Sequence, residues 1–280
     1  TMPCNKVLTK MSLRGVKIDL DRLWKVDKEF ENKCVELYSK VRKLDCVDAF
    51  EKEFRVKFNP QSPRQVSWIL FDYYKLPVLK KTKGDKNPSV QMDEMKRYAE
   101  QYNNEFCGIM EKYRSYETLR ANFLSGIVPK LVNGIAHTTY SLHATASGRP
   151  NSKDPNLLNW PRLKDVKRCI VARKGHKFVC ADYSQLEVRI AGVVYDEPAL
   201  IEVCNDVTKD IHSNITAQAF NKTYEEVYEK YKAGDVEMTE LRVKGKGVMF
   251  GTIYQQGAPS LAYRLGISVE EAQKFIDDFY

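Results

Sequence analysis

The sequence predicts an α+β chain in which helices dominate and a short strand-bearing stretch interrupts them. Apolar residues recur at helical spacing through residues 1–126 and again from Pro198 onward. Between those regions, Ile135–Leu142 alternates in the manner of a strand, and His176–Ala181 is a short apolar run of strand length. The chain has 280 residues, and at a rough prior of ~150 residues per domain this predicts two compact units.

Leu20, Leu23 and Trp24 begin a helical pattern that continues through Phe30, Val35, Leu37 and Val41. Asn59-Pro60 and Ser62-Pro63 then punctuate the chain. Ser62 suits an N-cap and Pro63 a first helical position, ahead of Val66, Ile69, Leu70 and Phe71. That helix is expected to end near Leu76-Pro77. Residues 80–88 are lysine-rich and carry no apolar side chain. They read as a solvated surface loop, or as a loop that grips a phosphate backbone through its ammonium groups. Helical spacing resumes from Met92 to Leu124, and the texture changes after Gly126. Residues 143–162 are dense in Ser, Gly, Pro, Asn and Arg and read as a loop. Gln185–Val194 reads as a helix with Leu186, Ile190 and Val193 on one face.

Composition narrows the class. Hydrophobic residues are 43% and charged residues 29% of the chain, enough apolar material for a buried core. The net charge of +8 fits a polyanionic partner or simply a basic protein. Seven cysteines, odd in number and without CxxC spacing, read as reduced, buried thiols. Four histidines without close pairing argue against zinc. No apolar stretch approaches the ~18 residues of a membrane helix, and the N-terminus has no signal-peptide core. A cytoplasmic protein is expected, with an organelle matrix also open.

Two segments carry chemistry. The apolar run Lys177-Phe178-Val179-Cys180-Ala181 leads into Asp182, then a polar turn and a helix. A buried strand there would place the Asp182 carboxylate at the mouth of a sheet. Such a carboxylate either N-caps the next helix or holds a hard cation such as Mg²⁺. Two such ions ~3.5–4 Å apart would serve in-line phosphoryl transfer. Farther on, Arg242, Lys246, Phe250 and Tyr254 recur every four residues. At 100° per residue that row drifts only ~40° per step, so all four share one broad helix face. The cations can hold a triphosphate and the rings can stack on a base or sugar. A basic helix surface followed by two core aromatics is the plainer alternative. Gly245, Gly247 and Gly251 each cost about 1 kcal/mol relative to Ala within a helix. They imply either a weak helix or a partner that approaches its backbone closely.

These strings resemble a known family. Asp182-Tyr183-Ser184-Gln185-Leu186-Glu187-Val188-Arg189 resembles motif A of the family A, bacterial DNA polymerase I-like, DNA polymerases (DYSQIELR), with aliphatic swaps at Leu186 and Val188. The stretch from Arg242 to Tyr254 resembles motif B, RxxxKxxxFGxxYG. Met249 stands where the family often has Asn, and Gln255 where it usually has Gly. Ser147-Gly148-Arg149-Pro150 and Asp154–Arg162 resemble the segment TGRLSS…DPNLQNIPxR, with Leu158 in place of Gln. Thr208-Lys209-Asp210-Ile211-His212 resembles GRDIH. Met11–Asp19 and Asn59–Val90 follow the thumb pattern.

The resemblance implies a right-hand polymerase architecture: thumb over 1–126, partial palm over 127–205 and partial fingers over 206–280. It implies Asp182 and the Tyr183 main-chain carbonyl as metal ligands. Asp182 and Lys246 become the catalytic pair. Arg242, Lys246, Phe250, Tyr254, Glu187, His212 and Gln185 become the nucleotide-binding set. Glu187 would crowd the sugar 2′ position, and Phe rather than Tyr at 250 implies discrimination against dideoxynucleotides. Arg149, Asn156, Asn159, Arg162, Lys81 and Lys83 would contact DNA. The implied cofactor is Mg²⁺, two ions in the completed site, and the implied partners are primer–template DNA and dNTPs.

No His-Asp-Glu motif C follows Tyr254. The expected function is therefore template-directed DNA synthesis completed by a second polypeptide or further segment carrying motif C. A non-catalytic primer–template-binding subunit and a single-subunit RNA polymerase are the alternatives. Glu187 argues against the latter, because an RNA enzyme must admit the 2′ hydroxyl.

Overall fold

The structure, a computed structural model, describes residues 2–82, 84, 86–183, 185–196, 198–206 and 210–279. The chain divides into two compact units, Thr1–Phe178 and Val179–Tyr280.

The first unit runs α1 (Met2–Arg14), β1 (Val16–Ile18), α2 (Leu20–Val41), α3 (Asp45–Phe54) and α4 (Pro63–Ser67), which continues as a π-helical turn over Trp68–Tyr73. Then come α5 (Met92–Gln101), α6 (Glu105–Phe123), a 3₁₀ turn over Ser125–Lys130, β2 (Leu131–Val132), β3 (Ile135–Ala136), β4 (Thr139–Ser141), β5 (Asn151–Lys153), α7 (Lys164–Lys167) and β6 (Ile170–Val171).

Local chemistry sets the helix starts. The Asp19 carboxylate accepts from the Arg22 amide at 3.0 Å and caps α2. Ser62 caps α4 as expected, with Pro63 at its first position. The pattern from Met92 to Leu124 is two helices rather than one. The chain breaks at Asn103, whose φ is +47°, and Asn104 restarts it by accepting from the Cys107 amide at 2.9 Å.

The buried face of α2 differs from the expected one. Leu23, Val26, Phe30, Cys34 and Val41 are buried, whereas Trp24 and Val35 face solvent. The inward stripe follows residues three, four and seven apart, and Asp27 lies in it. Its buried carboxylate is partnered by Arg120 Nε at 3.1 Å and the Ser125 hydroxyl at 3.0 Å, which ties α2 to α6.

The Ile135–Leu142 stretch also splits. Its first half is β3 in an antiparallel sheet of order β2-β3-β1-β6, and its second half is β4, which among the described residues pairs only with β5. The supposed loop 143–162 therefore contains a strand, in register Tyr140 with Ser152.

The regular elements described in the second unit are all helices: α8 (Leu186–Val194), α9 (Pro198–Asn205), α10 (Ile211–Ala219), α11 (Tyr224–Lys232), α12 (Val236–Ile253), α13 (Ala258–Leu265) and α14 (Val269–Phe279). At its centre, α12 packs on α10, α11, α13 and α14. The α+β class holds, with every strand among the described residues in the first unit.

Two expectations fail here. No strand forms over His176–Ala181. Phe178 is 58% and Val179 93% exposed, and no described strand pairs with this run. A β-pattern becomes a strand only where another strand takes its backbone groups. The Leu186, Ile190 and Val193 face of α8 is likewise exposed, and Val188, Ala191 and Gly192 are its buried side.

All seven cysteines are free, but Cys4 and Cys180 are exposed rather than buried. Burial pushes the Cys107 thiol up to about 12, which keeps it protonated and unreactive. No described helix is long and apolar enough to cross a membrane.

Candidate active site

Helix α12 is the scaffold of the site. The Asp235 carboxylate caps it, accepting from the Met238 amide at 2.7 Å. Most of its circumference is buried, including Met238, Gly245, Val248, Met249 and Thr252. Gly245 explains how. A Cβ there would lie 2.1 Å from Thr216 Oγ1 and 3.0 Å from Thr216 Cα. The partner that needs this glycine is thus α10, not a ligand. Gly251 is also tight, with Gln256 Oε1 at 3.0 Å and Leu261 Cδ1 at 3.1 Å from its notional Cβ.

With that packing, the row read from the sequence lies on one side. Lys246 Nζ stands 5.6 Å from the Phe250 ring centroid. Phe250 and Tyr254 stack at 6.4 Å and 19°. His212, from α10, meets Phe250 at 6.2 Å. Tyr254 is the C-cap residue rather than a helical one and is mostly exposed. Gln255 follows at φ +53°, a left-handed conformation that glycine adopts without strain.

Arg242 is held more tightly than its sequence context suggests. Its Nε and Nη2 donate to Asp210 Oδ2 and Oδ1, each at 2.9 Å. Its guanidinium carbon sits 4.2 Å from the Tyr231 ring centroid. Asp210 also caps α10, accepting from the Ser213 amide at 3.0 Å and the Ser213 hydroxyl at 2.6 Å. These partners hold its carboxyl below the usual range despite burial. Burial and the Arg242 charge lower the pKa of His212, against the pull of Asp210. His212 Nδ1 is buried with no partner among the described residues.

Asp182 stands apart from this cluster in its surroundings. It is exposed, in irregular chain. It does not cap the next helix: α8 begins at Leu186, with Gln185 at the N-cap in a left-handed conformation of φ +55°. Tyr183 is exposed, and Glu187 lies in the first turn of α8. Carboxylate, main-chain carbonyl and water oxygens suit Mg²⁺, and the Asp182 carboxylate and Tyr183 carbonyl are of that type. No cluster of three or more His, Cys, Asp or Glu side chains that could hold a metal occurs among the described residues.

The residues expected to meet DNA lie on two elements of the first unit. Lys81 is exposed on a short hairpin closed by Thr82 N to Asn87 O at 2.8 Å and Ser89 N to Lys80 O at 2.8 Å. Lys83 lies outside the described residues. The buried Glu94 anchors this hairpin, accepting from the Ser89 hydroxyl at 2.9 Å, with Lys80 at 3.7 Å. Arg149, Asn159 and Arg162 are exposed on the 143–162 segment. Asn156 is instead a loop staple: its Oδ1 accepts from the Ser152 hydroxyl at 3.0 Å and the Asn159 amide at 3.1 Å. That leaves its side-chain NH₂ as the group able to reach a ligand.

Sequence reading missed Asp210, Tyr231 and Glu94. A cap signal did mark Asp210, since it precedes the apolar start of α10. Its pairing with a residue 32 positions away had no local signal.

The family model for DNA polymerase family A matches residues 21–280. DNA polymerase I of Caldicellulosiruptor bescii is 32% identical, over 99% of this chain and 31% of that protein. DNA polymerase I of Pseudomonas aeruginosa is 32% identical, over 100% of this chain and 29% of its own length. The Bacillus subtilis DNA polymerase I is 31% identical, over 99% and 30%. The chain thus spans about three tenths of these relatives. Among solved structures, the polymerase domain of Pol1 from M. smegmatis, in complex with DNA primer-template and dNTP, superposes with a TM-score of 0.79 at 28% identity. It covers 99% of this chain and 46% of that one.

Proposed function

The chain belongs to DNA polymerase family A, and from that premise we propose that it serves template-directed DNA synthesis, adding dNTPs to a primer 3′ end. The observation that carries this is the gathering of Arg242, Lys246, Phe250, Tyr254 and His212 on one side of the α10–α12 pair. Cations meet a triphosphate there, and stacked rings beside them meet a sugar and base. Glu187 and Gln185 complete the nucleotide set, and Lys246 supplies charge at the leaving phosphates. Lys81, Lys83, Arg149, Asn156, Asn159 and Arg162 take the primer–template, as cations and amides on loops do. Residues 1–126 are assigned to the thumb, 127–205 to part of the palm and 206–280 to part of the fingers.

Asp182, with the Tyr183 carbonyl, would hold Mg²⁺, which when bound stabilises charge on the attacking and leaving oxygens. A second carboxylate has to come from a further segment or a second polypeptide carrying motif C. Two features support this. Asp182 belongs to no group of three or more His, Cys, Asp or Glu side chains among the described residues. In the second unit Val179 and the Leu186, Ile190 and Val193 side of α8 are exposed, apolar side chains that a palm sheet would cover.

Primer extension by the polypeptide or assembly that carries this chain tests the reading. Asp182→Ala should abolish extension while leaving primer–template affinity near wild type. A wild-type extension rate in that variant would remove the metal role. The absence of such a group among the described residues also favours a second reading, a primer–template-binding piece without catalysis. That reading requires that the correct dNTP does not tighten primer–template binding.

A further inference from the structure

We infer that Asp210 is a positioning residue for nucleotide binding: it clamps one edge of the Arg242 guanidinium so that the terminal edge is aimed at a triphosphate. The inference rests on the proposed nucleotide site and concerns a residue that site did not include.

A guanidinium has five N–H donors in a rigid planar fork. Asp210 takes the Nε and Nη2 edge, with both bonds at 2.9 Å. The Tyr231 ring, 4.2 Å from the guanidinium carbon, fixes the plane. Arg242 makes no other hydrogen bond to a described residue, so both Nη1 protons and one Nη2 proton remain. One Nη1 and one Nη2 proton form the terminal edge of the fork and match one phosphate bidentately, while the second Nη1 proton points back toward Cδ. Asp210 is itself immobilised. Ser213 donates to Oδ2 from its amide and its hydroxyl, and the Asp210 amide donates to the Tyr224 hydroxyl at 2.9 Å. Asp210 and Arg242 side chains are each 18% exposed, so the pair is largely shielded from competing water and salt. An arginine clamped before its ligand arrives has already lost the rotamer freedom that a loose one would lose on binding.

Two opposed effects make the inference testable. By Coulomb's law alone, a carboxylate beside Arg242 repels an arriving phosphate, so removing its charge should tighten binding. By positioning, removing it should weaken binding. The geometry favours positioning, because Asp210 occupies the edge of the fork that a bidentate phosphate on the Nη1 side leaves unused.

The full 280-residue chain is titrated with inorganic tripolyphosphate and with dATP by calorimetry. Asp210→Asn keeps an oxygen for the α10 cap but places an NH₂ against a guanidinium N–H. It should weaken tripolyphosphate binding on the order of tenfold, the equivalent of one charge-assisted hydrogen bond. In an Arg242→Lys background, which cannot be clamped bidentately, the same substitution should add no further loss. Tyr231→Leu, which leaves the cap untouched, should weaken binding several-fold. Unchanged or tighter binding in Asp210→Asn overturns the inference, as does an equal loss in both backgrounds. If the wild-type chain has no affinity for either probe, the nucleotide-site reading itself fails and the inference falls with it.

Discussion

Gly245→Ala should destabilise the second unit, although alanine is the better helix former. The added Cβ would sit 2.1 Å from Thr216 Oγ1, 2.9 Å from Thr216 Cβ and 3.0 Å from Thr216 Cα. Rotating the threonine moves only the first of these, and it would break the bond from Oγ1 to the His212 carbonyl at 2.6 Å. Helices α10 and α12 must therefore separate by roughly 1 Å, since real Cβ contacts fall near van der Waals distance and packed interiors resist such shifts. The core between them contains Ile211, Ile215 and Met249. Overpacking of this kind costs ~1–3 kcal/mol, and the gain in helix propensity offsets about 1 kcal/mol of it. The net range is a loss of about 0–2 kcal/mol, and the 3.0 Å approach to Thr216 Cα, which no side-chain rotation relieves, puts the expectation in its upper half.

Gly247→Ala is the internal control. Its nearest contact would be Leu265 Cδ2 at 3.4 Å, an ordinary distance, so propensity should dominate and stability should rise by up to ~1 kcal/mol. Urea unfolding followed by circular dichroism, with hydrogen exchange at the α12 amides to isolate the second unit, reads both variants. If Gly245→Ala proves as stable as wild type or more so, the close-approach argument is wrong. Equal destabilisation by both substitutions would refute it as well.

Two further predictions concern the same unit. Gln255→Gly should stabilise it by ~0.5–1 kcal/mol: a left-handed non-glycine residue costs ~1–2 kcal/mol, and glycine returns part of that as chain entropy. A lower thermal midpoint in that variant would count against strain at Gln255. His212 has a pKa below its ordinary value, chiefly through burial and then through Arg242. The unfolded chain therefore binds more protons than the folded one below the ordinary histidine pKa of ~6.5, and stability falls as pH drops through that value toward the folded pKa. The slope cannot exceed ~1.4 kcal/mol per pH unit for one group. His212→Gln should flatten it between pH 7 and 5, and an unchanged slope would assign the effect to another group.

The features legible in the sequence were those with a local cause. Ser62-Pro63 opened α4 because a hydroxyl cap and a fixed φ act within three residues. The row from Arg242 to Tyr254 gathered on one side because helical geometry alone dictates it. What was illegible depended on distant chain. Nothing near Asp210 announces that its carboxylate meets Arg242, and nothing near Gly245 says that Thr216 will lie against it. The α2 stripe was misread at Trp24 and Val35 because an apolar residue adjacent to a stripe looks like a member of it until packing selects the face.

The segment before Asp182 marks the boundary most sharply. Phe178, Val179 and Cys180 have the composition of a buried strand, yet they are exposed and unpaired. Composition records what a segment is suited to, while pairing requires another strand at about 5 Å. The α12 face needed only neighbours within the second unit, so its side chains are already gathered. The run leading to the Asp182 carboxylate pairs with no described strand. On the proposed reading, nucleotide binding and metal binding should therefore be separable in this chain. Triphosphate affinity should persist in Asp182→Ala, and loss of that affinity would show that the two sites depend on one another.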